Sequence, residues 1–95
     1  MRILLVEDDR MIAEGVRKAL RSDGFAVDWV QDGETAMTAV GGEPYDLMLL
    51  DLGLPKRDGL DVLKSLRAKG NALPVLIVTA RDAILGVFIE RPRSG

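Results

Sequence analysis

The stretch Tyr45-Asp46-Leu47-Met48-Leu49-Leu50-Asp51-Leu52 decides the fold. Apart from its two aspartates it is apolar throughout. A strand with one wet face alternates apolar and polar residues. A near-continuous apolar run suits a strand covered on both faces, as parallel strands are. A similar run recurs at Ile3–Val6 and at Pro74–Thr79, and Phe25–Val30 is rich in strand formers. Between these runs the period changes. Met11–Arg21 carries Ile12, Val16 and Leu20 four residues apart, the spacing of one helix face. Ser22-Asp23-Gly24 stops that helix, with Gly24 suited to the left-handed position beyond it. Asp32 caps a second helix that runs to Val40 and is ended by Gly41-Gly42. Asp58 caps a third over Leu60–Lys69, with Leu60, Leu63 and Leu66 on one side and Gly70 at its end.

The order βαβαβαβ predicts an α/β fold, a doubly wound parallel sheet with helices on both faces. Right-handed crossovers leave few topologies, and strand order 2-1-3-4 makes the first and third strands neighbours. Ligands of such sheets bind beyond the carboxyl ends of the strands, where the winding reverses.

Composition narrows the chemistry. Ninety-five residues predict one domain of modest stability. A net charge of −2 provides no basic field to hold DNA or RNA. The absence of cysteine and histidine excludes disulfides, thiolate or imidazole metal ligands and imidazole acid–base work, so a metal here must be held by oxygen. The apolar start Ile3–Val6 meets acids at Glu7, too early for a signal peptide or a membrane span. A soluble, cytoplasmic protein without a membrane partner is expected.

Glu7-Asp8-Asp9 follows the first strand, Asp51 closes the third, and Thr79 closes the fourth. In the expected order these ends meet in one shallow pocket. Carboxylates gathered so closely raise one another's pKa, and a hard divalent cation relieves that. Oxygen-only ligands with room for water suit Mg²⁺. Beside such a cation a carboxylate can act as the nucleophile in phosphoryl transfer. Asp51, at the end of a buried strand and before Gly53-Leu54-Pro55, is the candidate, and the Thr79 hydroxyl can donate to a phosphoryl oxygen. Taken singly, these residues have plainer readings. Asp9 caps the first helix, Glu7 and Asp8 belong to the same acidic capping stretch before it, and Asp46 only starts its strand. Asp32, Asp58 and Asp61 are caps or solvated charges, and Trp29 and Phe25 are packing residues. Only the joint arrangement favours a site.

With these residues in place, the chain resembles the bacterial response-regulator receiver family, in the branch that carries a winged-helix DNA-binding output domain. The matching stretches are Ile3–Asp9, Asp46–Pro55, Asp58-Gly59 and Pro74–Arg81. The resemblance implies a flavodoxin-like fold and a phosphorylation switch of a two-component system, not a metabolic enzyme. It implies that Asp51 accepts a phosphoryl group from a histidine kinase. It implies Mg²⁺ held by Asp8, Asp51 and the Gly53 backbone carbonyl, with Glu7 acting through water. Thr79 would be the switch hydroxyl, with Ala80 leaving room for it. Such domains often form homodimers, and DNA would be met only through an output domain.

The likeness stops after Asp82. Residues 1–82 are the expected receiver core and 83–95 an atypical tail, with the last helix and output domain missing. Thr79 and Arg91 are 12 positions apart, too few for a normal helix and then a normal parallel strand. The tail is therefore expected to be foreign sequence from a truncation or frameshift, although Phe88-Ile89-Glu90-Arg91-Pro92 can be set on the family's last strand and Lys-Pro. No lysine follows Lys69, and Arg91 is a poor substitute for the family lysine. Strand four is expected to present a bare edge that promotes self-association, unless the tail folds back antiparallel upon it. Two other classes compete. One is a degenerate receiver acting only as an interaction module. The other is a phosphoaspartate hydrolase, which needs an Asp where Gly53 stands.

Overall fold

The computed structural model describes residues 1–51, 59–81 and 84–90, with side chains described for 1–51 and 59–78. In chain order the elements are β1 (Arg2–Val6), α1 (Arg10–Ser22), β2 (Ala26–Val30), α2 (Gly33–Gly42), β3 (Leu47–Asp51), α3 (Gly59–Ala68), β4 (Val75–Arg81) and β5 (Ile84–Glu90). They form one sheet in the order β2-β1-β3-β4-β5. The first four strands are parallel, in the expected 2-1-3-4 order, and β5 is antiparallel to β4.

The apolar runs are explained by helices on both faces. Along β1 the pleat sends Leu4 and Val6 to one side and Ile3 and Leu5 to the other, and all four are buried. Leu4, Val6, Met48, Leu50, Val75 and Ile77 pack with Ala36 and Met37 of α2 and Val62 and Leu66 of α3. Ile3, Leu5 and Val27 pack against Ala13 of α1.

The expected caps hold for α1 and α2. Asp9 accepts from the Ile12 N–H at 3.0 Å and Asp32 from the Thr35 N–H at 2.8 Å. Gly24 and Gly70 both have positive φ, which lets the chain turn away after α1 and α3. Asp58 lies outside the described residues. The helix faces differ from expectation. Ile12 is 55% exposed, and Ala13 is the buried residue of α1, with Val16 and Leu20 packed beside it. In α3, Leu60 is 43% exposed while Val62 and Leu66 are buried. In each helix the first residue of the expected stripe is the one that fails, while Val16, Leu20, Leu63 and Leu66 pack as expected. Gly41 and Gly42 are the last residues of α2 rather than its terminators, and Glu43 caps it.

The sheet edge is the main correction. Strand four is not bare. β5 pairs with its whole length, from Val75 opposite Glu90 to Arg81 opposite Ile84. That antiparallel return also carries β4 past Thr79 to Arg81. A short connection forbids a parallel crossover but allows this pairing.

The amino-terminal end of the sheet is tied by a polar group that the sequence pattern did not reveal. Arg2 bonds Asp28 at 2.8 Å and Glu43 at 3.0 Å, and lies 5.4 Å from the centre of the Tyr45 ring. The Tyr45 hydroxyl donates to Asp28 at 2.8 Å. That bond, and then Arg2, holds the Asp28 carboxyl below its usual range. Burial, and then Asp28, pushes the Tyr45 hydroxyl up to about 12. Asp46 accepts the Arg2 N–H at 2.7 Å, which gives it the structural role expected of it.

Candidate functional site

The acid pocket is a product of strand register. Val6 pairs with Leu50, so one step further Glu7 stands beside Asp51. Asp51 in turn pairs with Val78, which places Thr79 one residue beyond it on β4. The sequence expected Thr79 to close its strand; it lies within it, opposite Gly86 of β5. Its side chain lies outside the described residues, as do Gly53 and Arg91.

Glu7, Asp8 and Asp51 each offer an oxygen, and the three oxygens lie within 4.8 Å of one another. Asp8 is exposed, whereas Glu7 and Asp51 are partly buried. Asp9 is not part of the cluster: its side chain caps α1, while its N–H donates to Glu7 Oε1 at 3.2 Å. Glu7 is pushed up to about 7, first by loss of water around it and then by the negative charge of Asp51 and Asp8, against the Asp9 bond. A carboxyl so placed holds a proton near neutrality unless a positive charge replaces it. The donors are all oxygen, and one is open to water. They fit a hard cation such as Mg²⁺ that keeps part of its hydration shell.

Below the acids is a pocket of about 70 Å³ lined by Glu7, Ile12, Val16, Leu49, Asp51 and Val78. Its apolar floor explains the desolvation of Glu7. It also explains why Ile12, counted from the sequence as a core residue, stays at the rim. A larger open groove of about 600 Å³ follows α1 past Glu14, Arg17, Lys18 and Arg21. It holds mixed charges, including a Glu14–Arg17 pair at 3.6 Å, and lacks convergent acids, so it is a solvated helix flank.

Sequence reasoning missed Trp29. It packs against the α1-side core as expected, but its indole N–H also donates to the Glu7 carbonyl at 2.8 Å. Trp29 is in register with Leu5, two residues before Glu7, and that proximity was the available signal.

Four parallel strands in this order, with three acids gathered beyond the ends of the adjacent β1 and β3, define a doubly wound α/β domain whose acid pocket lies where such sheets bind ligands. Comparison with known proteins makes the class specific. Residues 3–87 match the response regulator receiver domain, and the chain belongs to that family, whose members are signalling modules of two-component systems. It is 54% identical over 84 residues to the transcriptional regulatory protein QseB of Haemophilus influenzae and 50% identical to the response regulator protein PmrA of Pseudomonas aeruginosa. These alignments cover 88% of this chain but 38% of each regulator, so the chain spans well under half the length of those relatives. Among solved structures, the receiver domain of the Francisella response regulator 1452 matches with a TM-score of 0.82 at 30% identity, over 85% of this chain and 67% of that one. The response regulator TrrA of Thermotoga maritima, in complex with Mg²⁺ and BeF, matches with a TM-score of 0.80 at 32% identity, over 85% and 70%. Among the described residues no helix is long and apolar enough to cross a membrane.

Proposed function

We propose that this domain is a phosphorylation switch in which Asp51 accepts a phosphoryl group from the phosphohistidine of a histidine kinase. The observation that carries this reading is the convergence of Glu7, Asp8 and Asp51 at the ends of two adjacent parallel strands. Asp8 and Asp51 would hold Mg²⁺ directly, with the Gly53 carbonyl as a further ligand and Glu7 acting through water. When bound, the cation supplies charge compensation for the phosphoryl oxygens and for the acids that face them. An oxygen of Asp51 attacks phosphorus in line, the O–P bond forming as the donor's N–P bond breaks, and the histidine leaves with the electron pair. The product is an acyl phosphate on Asp51. Thr79 stands one residue past the β4 partner of Asp51, which supports a role for its hydroxyl at that group.

Residues 1–82 act as the receiver core in this reading, and DNA is engaged only by an output domain, as the regulatory relatives suggest. The protein works in the cytoplasm, where the kinase's catalytic part and DNA are found. The open edge of β5 is the surface for pairing with a second copy. Incubation with phosphoramidate and Mg²⁺, followed by borohydride reduction, tests the assignment. Homoserine at position 51 is expected. Homoserine elsewhere would move the acceptor, and none at all would leave a non-phosphorylated interaction module.

A further inference from the structure

We propose that Trp29 is a positioning residue for the divalent-cation site, holding the Glu7–Asp8 peptide in place through its indole N–H. The inference rests on the reading above that these acids bind Mg²⁺.

Backbone pairing of β1 with β2 ends at Val6 opposite Val30. Beyond that point β1 must still deliver Glu7 and Asp8 to the pocket. The Glu7 N–H finds the Val30 carbonyl at 3.0 Å. The Glu7 carbonyl would need an amide from the next residues of β2, but there the chain turns away to Asp32, the cap of α2. The indole of Trp29 takes the place of that amide, at 2.8 Å. Both backbone groups of Glu7 are therefore held by the last two residues of β2. The peptide plane links the Glu7 carbonyl rigidly to the Asp8 nitrogen, so fixing the carbonyl fixes where Asp8 begins. The ring is itself fixed, packed against the cluster of Ile3, Leu5, Ala13 and Val27. The competing account is that Trp29 only fills space there.

Two variants separate the accounts. Trp29→Phe removes the donor and part of the ring, and replacing Trp29 with benzothienylalanine removes only the donor, exchanging N–H for sulfur. Mg²⁺ affinity is measured by calorimetry on the whole chain, beside the urea midpoint in EDTA. Both variants should bind Mg²⁺ about 2- to 10-fold more weakly, the range expected for one lost hydrogen bond. Phosphorylation by acetyl phosphate should recover at saturating Mg²⁺. Wild-type Mg²⁺ affinity in the sulfur analogue would overturn the proposal, whatever happens to the urea midpoint. If Trp29→Phe fails to fold, the analogue decides alone. If the unsubstituted chain binds no Mg²⁺, the cation-site reading fails first and this proposal with it.

Discussion

Glu7→Gln keeps the shape of the side chain and its acceptor for the Asp9 N–H but removes an acid that the pocket tolerates poorly. The folded protein raises the Glu7 pKa from 4.5 to about 7, so it holds a proton that the unfolded chain releases. Stability from this group is greatest below 4.5 and is lost as pH rises through 7. At about 1.4 kcal/mol per pH unit, that gap corresponds to at most roughly 3 kcal/mol. Water reaches the partly buried carboxyl, so ~1–2 kcal/mol is the realistic penalty at pH 8. In a chain of this size each kcal/mol moves the melting temperature by roughly 4–8 °C. Thermal melts in EDTA should therefore show Glu7→Gln melting roughly 5–15 °C above the unsubstituted protein at pH 8, with the gap closing toward pH 4.5. Saturating Mg²⁺ should narrow the gap at pH 8 by stabilising the three-acid form. A pH-independent difference, or a Glu7→Gln variant less stable at pH 8 in EDTA, would refute the repulsion on which this account of the pocket rests.

Asp8→Asn should lower Mg²⁺ affinity at least tenfold by calorimetry, and equal affinity would remove Asp8 from the ligand set. Tyr45→Phe should cost about 0.5–1.5 kcal/mol in urea unfolding at neutral pH, because the hydroxyl bonded to Asp28 is lost. That cost should fade as pH falls below 3.8 and Asp28, held below its usual range, takes up its proton. Sedimentation equilibrium should show concentration-dependent association through β5, abolished by Val87→Lys at the strand's centre. A monomer at high micromolar concentration would mean that folding β5 back onto β4 has already removed the drive to associate.

The strand order and the acid pocket were legible because both follow from simple constraints. Buried parallel strands must be apolar throughout, as Ile3–Val6 and Leu47–Leu50 are, and the acids at Glu7, Asp8 and Asp51 fall where those runs stop. Caps at Asp9 and Asp32 were legible because the side chain bonds an amide three residues on. Helix faces were less so: Ile12 is exposed while its neighbour Ala13 is buried, and a four-residue spacing of large apolar side chains passes over a small one such as Ala13. The direction of β5 depends on a choice between a foreign tail and a return strand, and apolar spacing is the same for both. The Trp29 bond and the Arg2–Asp28–Tyr45 group were not read because each joins residues far apart in sequence through side-chain reach.

Intact-mass measurement after incubation with acetyl phosphate and Mg²⁺ tests the central claim most directly. The unsubstituted protein should gain the mass of one phosphoryl group, only when Mg²⁺ is present, and Asp51→Asn should gain none. A gain that persists in Asp51→Asn, or that is indifferent to Mg²⁺, would contradict the assignment of Asp51 as the acceptor beside a cation held by its neighbouring acids.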